Sequence, residues 1–515
     1  MMKNKVLRYL WISIIPAALV GIVVAILDPG PQPIVGFITA FGLTALCSFF
    51  LEFACDRLKV SRLAGWATAV SFAVRLVIGI ILFSALPIYG YDEAPPNNGY
   101  LYLDAYARDT DAWQLASSGD SLLSAFQNEF KTDQYGGLLS LSAAVYRTLS
   151  PDGHRLLLIL ILISFFTSLG LPFLWKAVNN RWDEKAANAS AWIYALYPES
   201  VILGASQMRE PILIGLSAIT FWGVAEWGSS RKNSILALCL STAGMVFISL
   251  KAAAAILLGM AIWFWLENIL PHVDKKWRTL TTLLLVLVIV VGLFLSWGWL
   301  VDSSKWDLYL MESSSGRIQW EVELIGEKYR APFIISYGAA QPVLPATIVY
   351  PGIPITRAIS IFRALGWYLL VPLMFSGFLL MWKNQPRKNK IVLLLFFILA
   401  LIWTFVSSAR AGGDQWDNPR YRSLFLVWMV FLAGWSWVET LRRRSPWLWR
   451  MLLLEVVYIA FFIQWYLSRY YDLFKRMNFW SMVRLLGIIG AAVIFGGLIF
   501  DLIYNKIRKK TLKAK

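Results

Sequence analysis

Cysteine, histidine and charge are all scarce in this chain. Its 515 residues include 3 cysteines and 2 histidines, and only 15% are charged. Cys47, Cys55 and Cys239 all fall in apolar segments and the polar segments hold none. That excludes a disulfide framework and a cysteine metal site, and leaves three thiols expected to be buried. Acids are the rarer charge, with 31 Asp and Glu against 48 Lys and Arg for a net +17. No internal repeat and no low-complexity tract stands out.

Apolar residues are abundant instead: 58% of the chain is hydrophobic and the mean hydropathy is +0.59. A run of about 20 apolar residues crosses the hydrocarbon core of a bilayer as a helix, since a helix satisfies its own backbone hydrogen bonds there. Fourteen such runs begin near Tyr9, Pro33, Leu63, Leu156, Ala186, Pro211, Ile235, Ala252, Leu280, Ile359, Ile391, Tyr421, Met451 and Trp480. Pro198, Pro211 and Lys251 interrupt those from Ala186 to Ala252. The first run lacks a small-residue cleavage site, and a second run follows it closely, so it is expected to be a retained helix rather than a signal peptide. The fold expected is an all-α polytopic membrane protein of fourteen transmembrane helices.

Basic residues orient such a bundle, because cytoplasmic loops are enriched in them. Clusters at Lys3/Lys5/Arg8, Arg57/Lys59/Arg62, Lys176/Arg181/Lys185, Arg231/Lys232, Lys275/Lys276/Arg278, Lys383/Arg387/Lys388/Lys390 and Arg442/Arg443/Arg444/Arg450 all fall on one side when fourteen helices are counted, as does the tail from Lys506 to Lys515. Both termini are then expected to be cytoplasmic, in a cell membrane. A basic face against anionic lipid accounts for the charge without a nucleic-acid partner.

The long polar segments, 90–153, 301–355 and 409–419, fall on the opposite side. The first carries nine carboxylates, Asp92, Glu93, Asp104, Asp109, Asp111, Asp120, Glu129, Asp133 and Asp152, against only Arg108, Lys131 and Arg147. Its stretch Gly137 to Arg147 has helical apolar spacing and is too short to span, which suits a helix lying in the membrane interface. The second segment, rich in Pro and aromatics, is expected to form one or two short helices and a Pro-ordered return to the membrane. Positive charge on this side runs against the orientation rule. Arg75, Arg209, Lys251, Arg357, Arg363, Arg410, Arg420 and Arg422 therefore each ask for a reason: snorkelling, pairing with the acids, or together a phosphate site, since guanidinium binds phosphate in bidentate fashion. His154, the one histidine on this side, suits an interfacial or capping role. Trp113, Trp306, Trp320 and Trp416 fit an aromatic belt or a sugar-stacking surface.

Several short motifs occur in a telling order. Asp109-Thr-Asp111-Ala-Trp113-Gln-Leu-Ala116-Ser-Ser-Gly119 follows an outward-running helix. Asp133-Gln-Tyr135-Gly-Gly comes next, then a small-residue helix from Ala186 to Tyr197 ending at Pro198. Ser206-Gln-Met-Arg209-Glu210 and, much later, Asn418-Pro-Arg420-Tyr421 complete the set. In that order and sidedness, residues 63 to 440 resemble the GT-C superfamily of polytopic glycosyltransferases, the protein mannosyltransferase and arabinosyltransferase-like enzymes. Two helices precede the usual first one, and Asp-Thr-Asp stands where Asp-Glu is commoner.

The resemblance implies residues 1–62 as two additional helices, 63–440 as the catalytic core, and 441–515 as terminal helices with a basic tail. It implies transfer of a sugar from a polyprenyl-phosphate donor to an extracytoplasmic acceptor hydroxyl on a glycan, lipid or protein, with inversion. Such chemistry needs a base near the acceptor and positive charge on the departing phosphate. Asp109 or Asp111 is expected to be the base. Arg209 and Arg420, then Lys251 and Arg363, are expected to bind the phosphate, with Asp104, Arg108, Glu210 and Tyr421 as further candidates. The resemblance points to no certain cofactor, with a divalent cation as the one candidate. Carboxylates suit a divalent cation such as Mg or Mn, but their spacing alone defines no metal ligands. A transporter or flippase is the rival reading, although transporters place ionisable groups near the midplane and show repeats. A polysaccharide polymerase of envelope assembly is a second rival.

Overall fold

A computed structural model describes residues 2–127, 136–295, 326–382, 385–411 and 414–513. Among them there is no strand. Each apolar run expected from the sequence falls on a helix. In chain order these helices are α1 (Met2–Leu27), α2 (Pro33–Leu58), α3 (Arg62–Tyr89), α4 (Leu103–Ser118), α5 (Gly137–Leu149), α6 (Leu156–Arg181), α7 (Glu184–Leu196), α8 (Pro198–Gly204), α9 (Glu210–Ala225), α10 (Arg231–Ile248), α11 (Leu250–Phe264) and α12 (Lys275–Leu295). They continue as α13 (Arg330–Ala339), α14 (Leu344–Val349), α15 (Pro354–Leu380), α16 (Arg387–Ala411), α17 (Asp417–Arg422), α18 (Leu426–Arg443), α19 (Trp447–Tyr470) and α20 (Phe479–Lys513).

Nine helical segments among the described residues are long and apolar enough to cross a bilayer, and Ser13–Leu27 and Glu210–Ala225 are shorter apolar helices. The chain is thus a polytopic helical membrane protein, but its helices are less uniform than fourteen full spans. Proline is the main reason. Pro198 removes an N–H donor and breaks what would be one helix into α7 and α8, so that α7 has 13 residues and is about 20 Å long.

Polar contacts sort the helix ends into two sets. At one end Asp183, before α7, meets Arg442 at the end of α18 (2.7 Å), Ser61 meets Asn188 (2.6 Å), and Arg181 of α6 meets Glu267 (2.9 Å). The described residues of the basic clusters between Arg57 and Arg450 lie at this end. At the other, Asp28 after α1 accepts from the Leu157 amide of α6 (3.1 Å), and Arg155 donates to the carbonyls of Pro29 (2.8 Å) and Gln32 (2.9 Å). Arg155 also pairs with Asp152 (2.6 Å), so the α1–α2 turn is latched to the start of α6. The described part of the acid-rich segment and residues 414–419 gather here.

Burial grades across the bundle. In the segment from Asp417 to Arg443, which includes α18, 83% of the apolar window is buried, against 11% in α20, which stands at the rim. Close approach in the core depends on missing side chains. A Cβ on Gly215 of α9 would lie 2.0 Å from the Phe166 carbonyl oxygen of α6, and one on Gly137 would lie 2.0 Å from the Phe247 carbonyl oxygen of α10. The latter packs α5 into the protein. It is the helix expected from its spacing, and most of its residues are buried against the protein. Likewise, of the three thiols expected to be buried, Cys47 is, Cys55 is half-buried and Cys239 is exposed, because the latter two sit on outward faces of their helices.

Arg75 answers the question its position raises. It is fully buried in α3 with no carboxylate partner among the described residues. Its guanidinium donates to the carbonyls of Ala195 (3.0 Å) and Tyr194 (3.3 Å), to the Ser71 carbonyl (2.9 Å), and to the hydroxyls of Ser71 (2.7 Å) and Ser200 (2.9 Å). The Tyr194 and Ala195 carbonyls belong to the end of α7, where the break at Pro198 leaves the last turn without amide partners. Arg75 therefore caps the broken helix and takes no part in the phosphate-binding role considered for the outer arginines. Replacing Arg75 with Met should strand these acceptors and lower stability by about 3 kcal/mol or more, read as a fall in the thermal unfolding midpoint of the purified protein.

Candidate functional site

Helix α4 presents two polar faces. Asp104, Arg108 and Asp111 recur at i, i+4 and i+7 and share one face. Asp109 is five residues on from Asp104 and therefore points about 140° away. The structure uses the two faces differently.

Asp109 is fully buried. One carboxylate oxygen accepts the Tyr146 hydroxyl of α5. The other accepts the Tyr100 hydroxyl and is 2.6 Å from Nε2 of His154. Trp113 lies over His154 at 5.6 Å between ring centroids and against Tyr146 at 5.9 Å. Burial disfavours the imidazolium, but the hydrogen bond and charge of Asp109 outweigh it and raise the His154 pKa. Burial pushes the Asp28 carboxyl up to about 6, even though the Leu157 amide and His154 favour its ionised form. Asp109 thus forms, with Tyr100, Tyr146 and His154, a hydrogen-bonded group that joins α4 to α5 and to the start of α6, and Asp28 of the α1–α2 turn lies near enough to feel its charge.

The other face of α4 meets Arg420, which is buried. Arg420 gathers carboxylates from three segments: Asp104 of α4 (2.9 Å), Glu210 at the start of α9 (3.2 Å) and Asp417 one turn earlier in α17 (3.2 Å). It also donates to the Tyr421 hydroxyl (3.1 Å), whose ring stacks under the Arg410 guanidinium at 4.3 Å. Asp104 is half exposed. Burial alone would raise its pKa, but Arg420, Arg108 and Arg209 hold it below the ordinary carboxylate range. Arg108 is buried and donates to the Gln207 carbonyl (3.0 Å), while Arg209 and Asp111 are half-buried beside it.

A second buried pair backs the first. Arg363 of α15 makes two hydrogen bonds to Glu199 of α8 (2.7 and 2.8 Å), donates to the Trp416 carbonyl (2.9 Å) and stacks on the Trp416 ring at 4.5 Å. Its charge is committed to Glu199. Lys251 is exposed at the start of α11. The structure brings together Asp104, Arg108, Arg209, Glu210, Arg420 and Tyr421, with Asp111 on the same face of α4. It places Asp109 on the opposite face. Glu129, Asp133, Trp306 and Trp320 lie outside the described residues.

A cavity of about 1620 Å³ opens beside the Arg420 cluster. Glu93, Asp104, Asp414, Asp417 and Arg420 form part of its wall, and Trp416 lies among them. The cavity then runs between α13, α14, α15 and the outer end of α19, past Phe333, Tyr337, Tyr368, Phe462, Tyr466 and Trp480. One cavity thus joins a charged mouth to an arm lined mostly by apolar and aromatic side chains. Among the described residues no three His, Cys, Asp or Glu side chains are grouped to hold a metal, and Asp104, Glu210 and Asp417 converge on Arg420.

Sequence reasoning missed Tyr100, Tyr146 and Asp28 as partners in the buried group, cast His154 as only an interfacial or capping residue, and missed Glu199 and Asp417 as ion-pair partners. The Glu199–Arg363 contact joins residues 164 apart in the chain. No local spacing marks it. Asp417 had a visible signal, since it stands i−3 from Arg420 on one helix.

No family model matches this chain, and no curated protein matches it. Among solved structures, it is similar to the archaeal oligosaccharyltransferase AglB from Archaeoglobus fulgidus, in complex with an inhibitory peptide and a dolichol-phosphate, at 12% identity and a TM-score of 0.32. The match covers 84% of this chain and 54% of that one, so the chain spans about half the length of the structure it matches. A likeness that loose establishes no activity.

Two outcomes follow from the charges. Arg420→Ala leaves Asp104, Glu210 and Asp417 facing one another and should cost about 3–5 kcal/mol, seen as a lowered unfolding midpoint at neutral pH. For Asp28, a folded pKa above 3.8 means stability that is full below that value and is lost as the pH rises towards about 6. The raised pKa of His154 extends the loss upward in the same direction. Thermal unfolding of the Asp28→Asn protein should therefore lose the fall in stability that the native protein shows across that window.

Proposed function

We propose that this protein is a membrane glycosyltransferase that moves a sugar from a polyprenyl-phosphate donor to an acceptor hydroxyl at the extracytoplasmic surface of a cell membrane, with both termini cytoplasmic. The observation that carries this reading is the cavity of about 1620 Å³, whose carboxylates and guanidinium open into an arm walled largely by apolar and aromatic side chains. A soluble sugar substrate would gain nothing from that arm, whereas a lipid-linked one has both a polar and an apolar end to place.

Asp104 faces the space in which an acceptor would lie. Held ionised by Arg420, it accepts the hydroxyl proton as the acceptor oxygen bonds to the anomeric carbon. The bond from that carbon to the phosphate oxygen breaks, and the lipid phosphate leaves with the electron pair. One base and in-line attack give inversion, and a second catalytic carboxylate is not needed. Depressed basicity makes Asp104 a modest base. Its contribution is to orient the hydroxyl and take the proton late, as the new bond completes. Asp109, sealed beneath Tyr100, Tyr146 and His154, serves as a positioning residue that fixes the rotation of α4. Trp416, held by Arg363, offers a ring face to a sugar at the mouth.

The test is turnover by the purified protein in lipid nanodiscs with polyprenyl-phosphate sugars. Asp104→Asn should lower kcat by about 10²- to 10⁴-fold while leaving the unfolding midpoint within a few degrees. Asp109→Asn should lower the midpoint together with activity. Full turnover by Asp104→Asn would remove the assignment, and solute uptake into vesicles without transfer would favour the transporter reading instead.

A further inference from the structure

The cationic groups nearest the proposed acceptor space are already matched by oxygen. Arg420 meets three carboxylates, Arg363 makes a bidentate pair with Glu199, and Arg108 donates to a carbonyl. A phosphate bound to Arg420 would enter a wall that also carries Glu93, Asp104, Asp414 and Asp417, and like charge would oppose it. The apolar arm of the same cavity is different. Its wall includes two further guanidinium groups, Arg357 and Arg469, and among its described wall residues outside the mouth there is no carboxylate.

These two arginines flank one short turn. Arg357, at the start of α15, donates to the Ile348 carbonyl near the end of α14. The next residues of that turn are held by α19: the Tyr471 hydroxyl donates to the Val349 carbonyl (3.2 Å), and the Tyr350 and Tyr470 rings lie 5.7 Å apart. Arg469 stands beside them over the rings of Tyr470 (5.3 Å) and Trp465 (5.8 Å). Ring faces hold a guanidinium in place without neutralising it, and leave its donor edge available. Neither arginine forms an ion pair with a carboxylate among the described residues.

From this placement we infer that Arg357 and Arg469 form the phosphate-binding site for a prenyl-phosphate carrier, with its chain lying along the apolar wall of Phe333, Val343 and Phe462. The inference rests on the lipid-linked donor reading and adds to it where the phosphate sits. The charge logic is that of separated ends. The carboxylate-rich mouth takes a neutral, proton-releasing hydroxyl, and the basic arm takes the anion that must leave. It also assigns a role to α19, one of the terminal helices outside the core implied by the resemblance: α19 supplies half of the site.

The test is binding to the full-length protein in nanodiscs, with farnesyl phosphate, farnesol and inorganic phosphate as probes. The native protein should bind farnesyl phosphate at least tenfold more tightly than farnesol or inorganic phosphate. Arg357→Gln and Arg469→Gln should each weaken farnesyl phosphate binding by about tenfold, the size of one lost charge-assisted hydrogen bond. Farnesol binding should stay unchanged in the double variant, which shows that the arm is still folded, and Arg469→Lys should recover part of the loss. A phosphate preference that survives the double substitution, or one that Arg420→Gln alone abolishes, overturns the site. Inorganic phosphate binding as tightly as farnesyl phosphate overturns its lipid character. If the native protein binds no prenyl compound, the lipid-linked donor reading fails with it, an outcome distinct from the others.

Discussion

A guanidinium buried at membrane depth must be matched by oxygen, and that requirement ties this chain together. Water is not there to solvate the charge, so each such group either finds carboxylates or carbonyls or makes the fold untenable. Arg420 draws Asp104 across 316 residues of sequence, and Arg363 draws Glu199 across 164. Arg155 anchors the α1–α2 turn through the Pro29 and Gln32 carbonyls. Hydrophobic burial selects helices but is indifferent to their rotation; these few polar contacts fix which face of each helix turns inward. They also fix depth, since all lie at one end of the bundle.

The break at Pro198 shows the same constraint acting on backbone. A proline within a membrane segment frees carbonyls that nothing nearby can satisfy. Arg75 supplies the donors, and Gly204 leaves room for it, since a Cβ there would come within 2.6 Å of the Arg75 side chain. The resulting offset turns Glu199 towards Arg363 and starts α9 at Glu210, beside Arg420. Both buried ion pairs of the site therefore depend on a helix that does not run straight.

The helices were legible because their signal is local: runs of apolar residues need no knowledge of partners. Positions of the basic clusters were legible for the same reason, and they do gather at one end. Span length was less so, because Pro198 and Pro211 divide apolar sequence without interrupting its composition. The site was legible as a list of residues but not as an arrangement. Glu210, Arg420 and Tyr421 were named from short motifs and do meet, yet the chemistry of each depends on neighbours far away in sequence. Arg420 reads as a free cation until Glu210, Asp104 and Asp417 are placed around it. Glu199 lies beside a proline in an apolar stretch and carries no mark of its pairing with Arg363.

Asp104 and Asp109 show what a sequence leaves undecided. On α4 they differ by a rotation of about 140°, so only one can face the Arg420 cavity, and the composition of the helix does not say which. Alanine and leucine at Ala105, Ala112 and Leu115 share the buried sector with Asp109, but Asp109 makes that sector polar and obscures the apolar stripe. The carboxylate is tolerated there because Tyr100, Tyr146 and His154 satisfy it. That same group touches Asp28 electrostatically, and Asp28 holds the first amide turn of α6. The two N-terminal helices are tied through Asp28 and Arg155 to the start of α6, next to the contact that His154 makes with Asp109 of α4.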